Sequence, residues 1–430
     1  MPASRSWTRP ATYVRPRRLL LGLAMIAVTA VALGDVRLAS ASGAFVRAVG
    51  TQFYIGGTPF RFVGYDAYQT TSTSPGYQCG GVYTDAEMDQ FYSEMQSASG
   101  ASVARVWFFQ SYQAGNPANF AQYDRVLSFA AAHGIRVVAT LENQWTACEP
   151  NHAYRDITWY QGGYRSPDSG YPLSYRDFVH AMAAHYVGDP RIAMWQLVNE
   201  GEAKDASGNC NEAAAAQAMH AFAEDMAGVI KSVDTNHLVS LGTMGGGQCG
   251  AVGSDYATLH SGGIDVCEFH DYNNDAVAMV ANLSLRLAQC KALNKPLFMG
   301  EAGIQSTSGQ ARADEFSAKL TAFFGGGGGG YLIWSKHITG DGGYSVGPGD
   351  PVEGVMLSWA QRLGSAQAPV PGGLIVTDGD PAPNSSNTPG AHVAGARVSA
   401  GGRNSTAAAG SPPAILEVVP LSEWLLHRIR

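Results

Sequence analysis

The sequence predicts an α/β fold: a (β/α)8 TIM barrel with a small N-terminal hairpin and a disordered C-terminal tail. Three observations point to it. Between residues 60 and 363, short apolar runs alternate with longer amphipathic ones, the pattern of buried parallel strands separated by helices. The short runs number eight, which closes a barrel more readily than it extends an open sheet. The end of the first run, Gly64-Tyr65-Asp66, is not the Gly-rich phosphate loop that follows the first strand of an open nucleotide-binding sheet.

In chain order the predicted strands are 60–67, 101–108, 135–141, 192–198, 237–241, 264–270, 296–300 and 331–334. Helices are predicted over 85–98, behind Thr84 as N-cap, and over 119–132, stopped by His133-Gly134. Others follow at 175–186, 212–232, 276–293, 310–323 and 355–363; between the fifth and sixth strands only 254–260 has helical character. Ahead of the barrel, 45–55 with Gly56-Gly57 reads as a hairpin covering the barrel floor. The six glycines 325–330 read as a flexible connection at that same end.

The two ends of the chain differ in kind. Residues 1–41 read as an export signal: a basic region ending at Arg17-Arg18, an apolar run over 19–33, and Ala39-Ser40-Ala41 as cleavage site. The run is short for a membrane span, which needs about 20 residues; a retained anchor is the alternative. Residues 42–364 then form the barrel domain and 365–430 a Pro/Gly/Ala/Ser-rich low-complexity tail. The net charge of −7 becomes −12 without residues 1–41. So acidic a surface disfavours nucleic acid or an anionic membrane as partner and suits a neutral substrate. Six cysteines in an exported chain favour disulfides over metal ligands, and with no C-x-x-C pair or H-E-x-x-H motif no metal is expected. Cys267 has the parity opposite to His270 on one strand, so it should point outwards, toward the helix carrying Cys290.

Reactive groups in such a barrel stand at the carboxyl ends of the strands. The fourth run ends in Asn199-Glu200 and the seventh in Glu301, two carboxylates that would face each other across the mouth. Cleavage of a glycosidic bond requires such a pair, one to protonate the leaving oxygen and one to meet positive charge at the anomeric carbon. His270 and Tyr272 share one face of the sixth strand, where the Tyr272 hydroxyl can keep Glu301 ionised. Arg105, ending the second strand, can do the same, or can serve as a structural ion-pair partner of Glu268. Trp334 closes the eighth strand, where an indole face can stack on a sugar ring. Trp107, Trp145 and Trp334 also read as plain packing, Trp145 equally as a sugar platform; Glu142 reads as a substrate contact and Glu202 as a rim residue.

The ordered set Arg105-Val-Trp107, Asn199-Glu200, His270-Asp-Tyr272, Glu301 and Trp334 resembles glycoside hydrolase family 5, over residues 45–363. The resemblance implies Glu200 as acid/base, Glu301 as nucleophile, Asn199 on the sugar 2-hydroxyl and Trp334 under the reacting sugar. Arg105-Val-Trp107 with Asn143-Gln-Trp145 is similar to the endo-β-1,4-mannanases of that family, which adds Asn143 and Trp145 to the substrate-binding set. The chain departs from them at Gly201, where Asn-Glu-Pro is usual, and at Gln144, where a second Asn is usual. The expectation is thus a secreted, extracellular, monomeric, retaining endo-β-1,4-glycanase acting on a β-linked polysaccharide such as mannan, with no cofactor. An endo-β-1,4-glucanase, an exo-acting glycosidase with a cleft blocked by loops 146–173 and 201–211, and a non-catalytic carbohydrate-binding barrel are the alternatives.

Overall fold

The computed structural model describes residues 45–364 apart from 73–81, 150–152, 169, 306–308 and 340–342, together with Val370. Every element belongs to one compact unit, Met1–Val376, of the two into which the chain divides. The expected export signal and the low-complexity tail lie outside the described residues.

Eight parallel strands make the barrel: β4 (Phe62–Asp66), β5 (Val103–Trp107), β6 (Arg136–Thr140), β7 (Ile192–Gln196), β8 (Leu238–Ser240), β9 (Cys267–Asp271), β10 (Leu297–Ala302) and β11 (Gly330–Ile333). Their order is β8-β7-β6-β5-β4-β11-β10-β9, and a parallel bridge between Ser240 and Val266 joins the two ends. The sheet is therefore closed, as the eight apolar runs predict. Each strand is buried along its whole length, because helices cover the outside and side chains fill the inside.

The helices begin and end where local chemistry dictates. Asp85–Ser99 starts with a capping box between Thr84 and Glu87 and stops at Gly100 in the left-handed region. Ala121–Ala132, Tyr175–Tyr186, Glu212–Val233, Ala276–Ala292 and Gly309–Gly325 fall within a few residues of their predicted bounds. The last helix, Pro351–Leu363, begins four residues earlier than predicted, because Asp350 caps it and Pro351 fits its first turn. Between β8 and β9 only the five-residue helix Asp255–Leu259 forms. An unpredicted short helix, Ile157–Gln161, sits within the long loop after β6, capped by Asp156.

The N-terminal segment is a three-stranded antiparallel sheet, β1 (Val46–Val49), β2 (Gln52–Ile55) and β3 (Thr58–Pro59). It closes the floor: Val46, Phe53 and Phe60 form one buried cluster with Phe62, Val103, Val138, Met194, Leu238, Val266, Phe298 and Leu332 from the barrel's lower layer. The glycine run beside it is not a flexible connection. A Cβ at Gly328 would lie 2.2 Å from the Phe323 ring, at Gly329 2.7 Å from Phe53, and at Gly330 2.1 Å from Phe62. These residues are glycine because aromatic rings occupy the space. Gly330→Ala is expected to destabilise the barrel by about 1–3 kcal/mol through overpacking, measured by denaturant unfolding; an unchanged midpoint would show that the floor can yield.

Cys267 and Cys290 are joined as a disulfide, as the strand parity predicts, and Cys210 is joined to Cys249. Cys148 is also disulfide-bonded, and no described cysteine is free.

Candidate active site

Above the apolar floor the inward positions turn polar. Arg105 on β5 is wholly buried and spends its donors on four partners. Nη1 donates to Asp66 Oδ1 and to Glu301 Oε1, both at 2.7 Å; Nε donates to Gln196 Oε1 at 2.9 Å and Nη2 to Asn199 Oδ1 at 2.6 Å. Its guanidinium carbon lies 4.6 Å from the centre of the Trp107 ring. Burial works against the charge, but Asp66, Glu301 and Glu268 overcome it and keep the guanidinium protonated. Burial also pushes the Asp66 carboxyl well above its ordinary range, against the pull of Arg105. Removing the cation leaves buried carboxylates unpaired, so Arg105→Met is expected to cost about 3–5 kcal/mol at neutral pH. Raised carboxyl pKa values in the folded state make that loss largest at high pH and smallest once the acids are protonated. Urea melts at two pH values test it, and a loss that does not shrink in acid would refute the assignment.

Glu301 reaches the mouth by an irregularity. Phe298 faces inward, so strict alternation would aim residue 300 inward and 301 out. The register between β9 and β10 shifts between Met299 and Glu301, which turns Glu301 in beside His270. Residue 300 must then be glycine, since a Cβ would meet Glu268 Oε1 at 2.0 Å. Glu301 Oε2 accepts from the Tyr272 hydroxyl at 2.6 Å. Burial and the Glu200 charge push its carboxyl upward, while His270, Arg105 and Tyr272 pull it down; the balance is raised.

Glu200 sits just past β7 with φ of +55°, a left-handed conformation that costs a non-glycine residue about 1–3 kcal/mol. Its backbone N–H donates to the Gly242 carbonyl at 2.8 Å. Gly242 has φ of +91°, and a Cβ there would lie 1.7 Å from the Val198 carbonyl oxygen, so only glycine lets the two loops approach this closely. Glu200 Oε2 accepts from Trp145 Nε1 at 2.8 Å, and Oε1 lies 3.0 Å from His270 Nδ1. Burial would raise Glu200, but His270 and Trp145 outweigh it and hold the carboxyl below its ordinary value. Carboxylate oxygens of Glu200 and Glu301 approach within 4.8 Å.

The structure thus brings Glu200, Glu301, Arg105, Asn199, His270, Tyr272 and Trp145 into one hydrogen-bonded constellation. Trp334 is partly exposed at the mouth and stacks on Tyr68 at 4.7 Å, with the ring planes 5° apart. Two predicted substrate contacts are buried among other members of the site. Trp107, two residues beyond Arg105 on β5, stacks on Phe109, lies 6.1 Å from both the Tyr68 and the Trp334 rings and turns a face to the Arg105 guanidinium. Asn143 is buried with its amide committed to Ala147 and its oxygen to Asn199 and Trp145, so it braces those residues. Glu142 turns away from the mouth to pair with Arg155 at 3.1 Å, and Glu202 is fully buried, accepting from Tyr154 at 2.8 Å. Glu268 forms no direct ion pair with Arg105; Gln196 lies between, accepting from Arg105 and donating to Glu268.

The two departures in sequence are linked. The Tyr160 hydroxyl donates to Gln144 Oε1, and a Cβ at residue 201 would approach that hydroxyl to 2.9 Å. Gly201 makes room for the tyrosine that Gln144 binds. Asp66, Gln196 and Tyr68 are members of the site that strand ends do not point to. Inward parity is the available signal for the first two.

No described cluster offers an obvious cation site. Cys210 and Cys249 are bonded to each other, and His270 meets a carboxylate at each ring nitrogen, leaving no lone pair for an ion.

Two carboxylates paired across the carboxyl-end mouth of a closed parallel barrel define the class, a barrel glycoside hydrolase. Residues 63–338 match the family model described as cellulase (glycosyl hydrolase family 5), and the chain belongs to that family. It is 27% identical over 299 residues to mannan endo-1,4-beta-mannosidase A of Emericella nidulans, covering 62% of this chain and 72% of the relative. It is also 27% identical over 337 residues to mannan endo-1,4-beta-mannosidase 1 of Oryza sativa subsp. japonica, covering 67% and 75%. Among solved structures it is similar to the endo-1,4-beta-mannanase from Rhizomucor miehei, with a TM-score of 0.60 at 20% identity over 74% of this chain and 99% of that one. At that identity the likeness speaks for the fold.

Proposed function

We propose that this chain is a secreted endo-β-1,4-mannanase that hydrolyses with retention of anomeric configuration. The observation that carries the mechanism is the approach of Glu200 and Glu301 oxygens within 4.8 Å. Retaining enzymes hold the pair about 5–5.5 Å apart, whereas inverting ones need about 6.5–9.5 Å to admit a water. Glu301 attacks the anomeric carbon, forming a C–O bond as the glycosidic C–O bond breaks and Glu200 gives its proton to the leaving oxygen. Glu200 then takes a proton from water, whose oxygen displaces Glu301 and restores both groups. Arg105 and Tyr272 favour the ionised form of Glu301 that attack requires. The names of the relatives support mannan as substrate, and the basic-apolar-small pattern of residues 1–41 supports export.

The deciding experiment compares galactomannan, glucomannan and carboxymethylcellulose by reducing ends released. Faster release from the mannans, with a β-configured first product by proton NMR, is expected. Preference for carboxymethylcellulose would make the chain a glucanase, and an α-configured first product would remove the retaining mechanism.

A further inference from the structure

We propose that Glu268 fixes His270 as an imidazolium whose Nδ1–H serves Glu200 and Glu301 in turn, and so decides which of them keeps the catalytic proton. The proposal rests on the double-displacement reading above and assigns a positioning residue to it.

The geometry carries it. His270 Nε2 lies 3.0 Å from Glu268 Oε1, while Nδ1 lies 3.0 Å from Glu200 Oε1 and 3.6 Å from Glu301 Oε2. A neutral imidazole has one N–H and one lone pair, so it would aim that lone pair at a carboxylate on one side or the other. With both carboxylates ionised, only the doubly protonated ring satisfies both. Glu268 cannot turn away. It is fully buried, its Oε1 accepts from Gln196 Nε2 and its Oε2 from Ser240 Oγ, both at 2.6 Å. The glycine at 300 leaves the space in which this contact sits: a Cβ would lie 2.0 Å from Glu268 Oε1 and 2.8 Å from His270 Nε2.

The surroundings agree in sign. The charged and titratable groups facing the imidazole are Glu268 and Tyr272 on or beside β9, Glu301 on β10, Glu200 after β7, Arg105 on β5 and Asp66 on β4. Burial lowers the His270 pKa, but Glu301, Glu200 and Glu268 overcome it and raise it to about 10. Burial likewise opposes the Glu268 charge, yet His270, Arg105 and Ser240 hold its carboxyl below the ordinary value.

The device addresses a conflict in the site. With Nδ1 on Glu200, Glu200 is held low and Glu301 high, whereas attack needs the proton on Glu200 and the charge on Glu301. A shift of the N–H from Glu200 toward Glu301 reverses the preference. After the glycosyl-enzyme forms, Glu301 is neutral and Glu200 carries the charge, and the same cation returns to it. No buried charge is left uncompensated at either stage.

The test is Glu268→Gln in the full chain, whose amide can donate to Ser240 while its carbonyl still accepts from Gln196. Two readouts are taken: the ring titration of His270 by nitrogen-15 NMR, and the pH profile of kcat/KM on β-1,4-mannan. The His270 pKa is expected to fall from about 10 by about four pH units or more, so that the ring is neutral across the bell, and the bell to move to higher pH by about one unit, because both catalytic glutamates lose a neighbouring cation. Were His270 to stay charged without Glu268, loss of a negative charge would move the bell to lower pH. That result, or a slower enzyme with an unmoved bell, overturns the proposal. Glu268→Asp, which keeps the charge, is expected to restore most of the wild-type profile. Should Glu268→Gln fail to fold, the wild-type titration still decides, since a neutral His270 at pH 7 contradicts the proposal. The NMR measurement needs no substrate, so its failure is distinguishable from a wrong choice of mannan.

Discussion

Glu301→Gln is expected to lower kcat on β-1,4-mannan by roughly 10⁴-fold or more, with the fold and substrate binding retained. The amide is isosteric, and its carbonyl can still accept one of the two hydrogen bonds that Glu301 receives from Arg105 and Tyr272. What it lacks is the electron pair that forms the bond to the anomeric carbon. The loss should therefore fall on kcat with KM little changed, because the interaction removed is made in the transition state. A rate within tenfold of wild type, in protein shown free of contaminating activity, would remove Glu301 from the nucleophile's role. Azide added to Glu301→Ala is expected to give the α-glycosyl azide, since an external anion then attacks from the face the carboxylate has left.

Glu200→Gln is expected to cost about 10²–10⁴-fold, the range for loss of a general acid or base. The cost should depend on the leaving group. A polysaccharide needs its departing oxygen protonated, whereas a dinitrophenyl glycoside does not, so the aryl substrate should form the glycosyl-enzyme readily and stall there. A burst of phenolate followed by slow turnover is the expected trace, and azide should relieve it with a β-configured product. Equal losses on both substrates would mean that Glu200 acts on something other than the leaving oxygen. The Trp145 and His270 contacts to Glu200 bear on both steps, because each favours its ionised form: Glu200 becomes the stronger acid toward the leaving oxygen and the weaker base toward water.

Much of this site was legible along the chain because its supports are periodic. Strand parity alone places Arg105, His270 and Tyr272 on the inner face and sends Cys267 outward to Cys290, as the structure shows. Parity failed at one position, Glu301. Its inward aim comes from the shift in register after Met299, and such shifts leave no periodic trace in sequence. Trp107 and Asn143 show the other limit. Both are nearly fully buried, Trp107 among Phe109, Tyr68, Trp334 and the Arg105 guanidinium and Asn143 in hydrogen bonds with Ala147 and Asn199, and such neighbours come from other strands and loops. Glu142 and Glu202 look like free acids at strand ends until the loop after β6 folds back and brings Arg155 and Tyr154 to meet them. The start of the last helix at Pro351 is readable from Asp350-Pro351, an N-cap followed by a proline in the first turn.

For Glu200 and Glu301, the order of apolar runs was sufficient to assign distinct strand ends and a paired chemistry, because strand length and strand-end position depend on residues close together in the chain; which is the acid and which the nucleophile came with the family resemblance. Their separation, their hydrogen-bond partners and the charge on the histidine between them were decided by closure of the barrel. Closure sets Asp66, Arg105, Gln196, Glu268 and His270, which lie on four different runs, into one buried network. Electrostatic energies in such a network depend on distance and burial, and neither quantity is a property of any local stretch of chain.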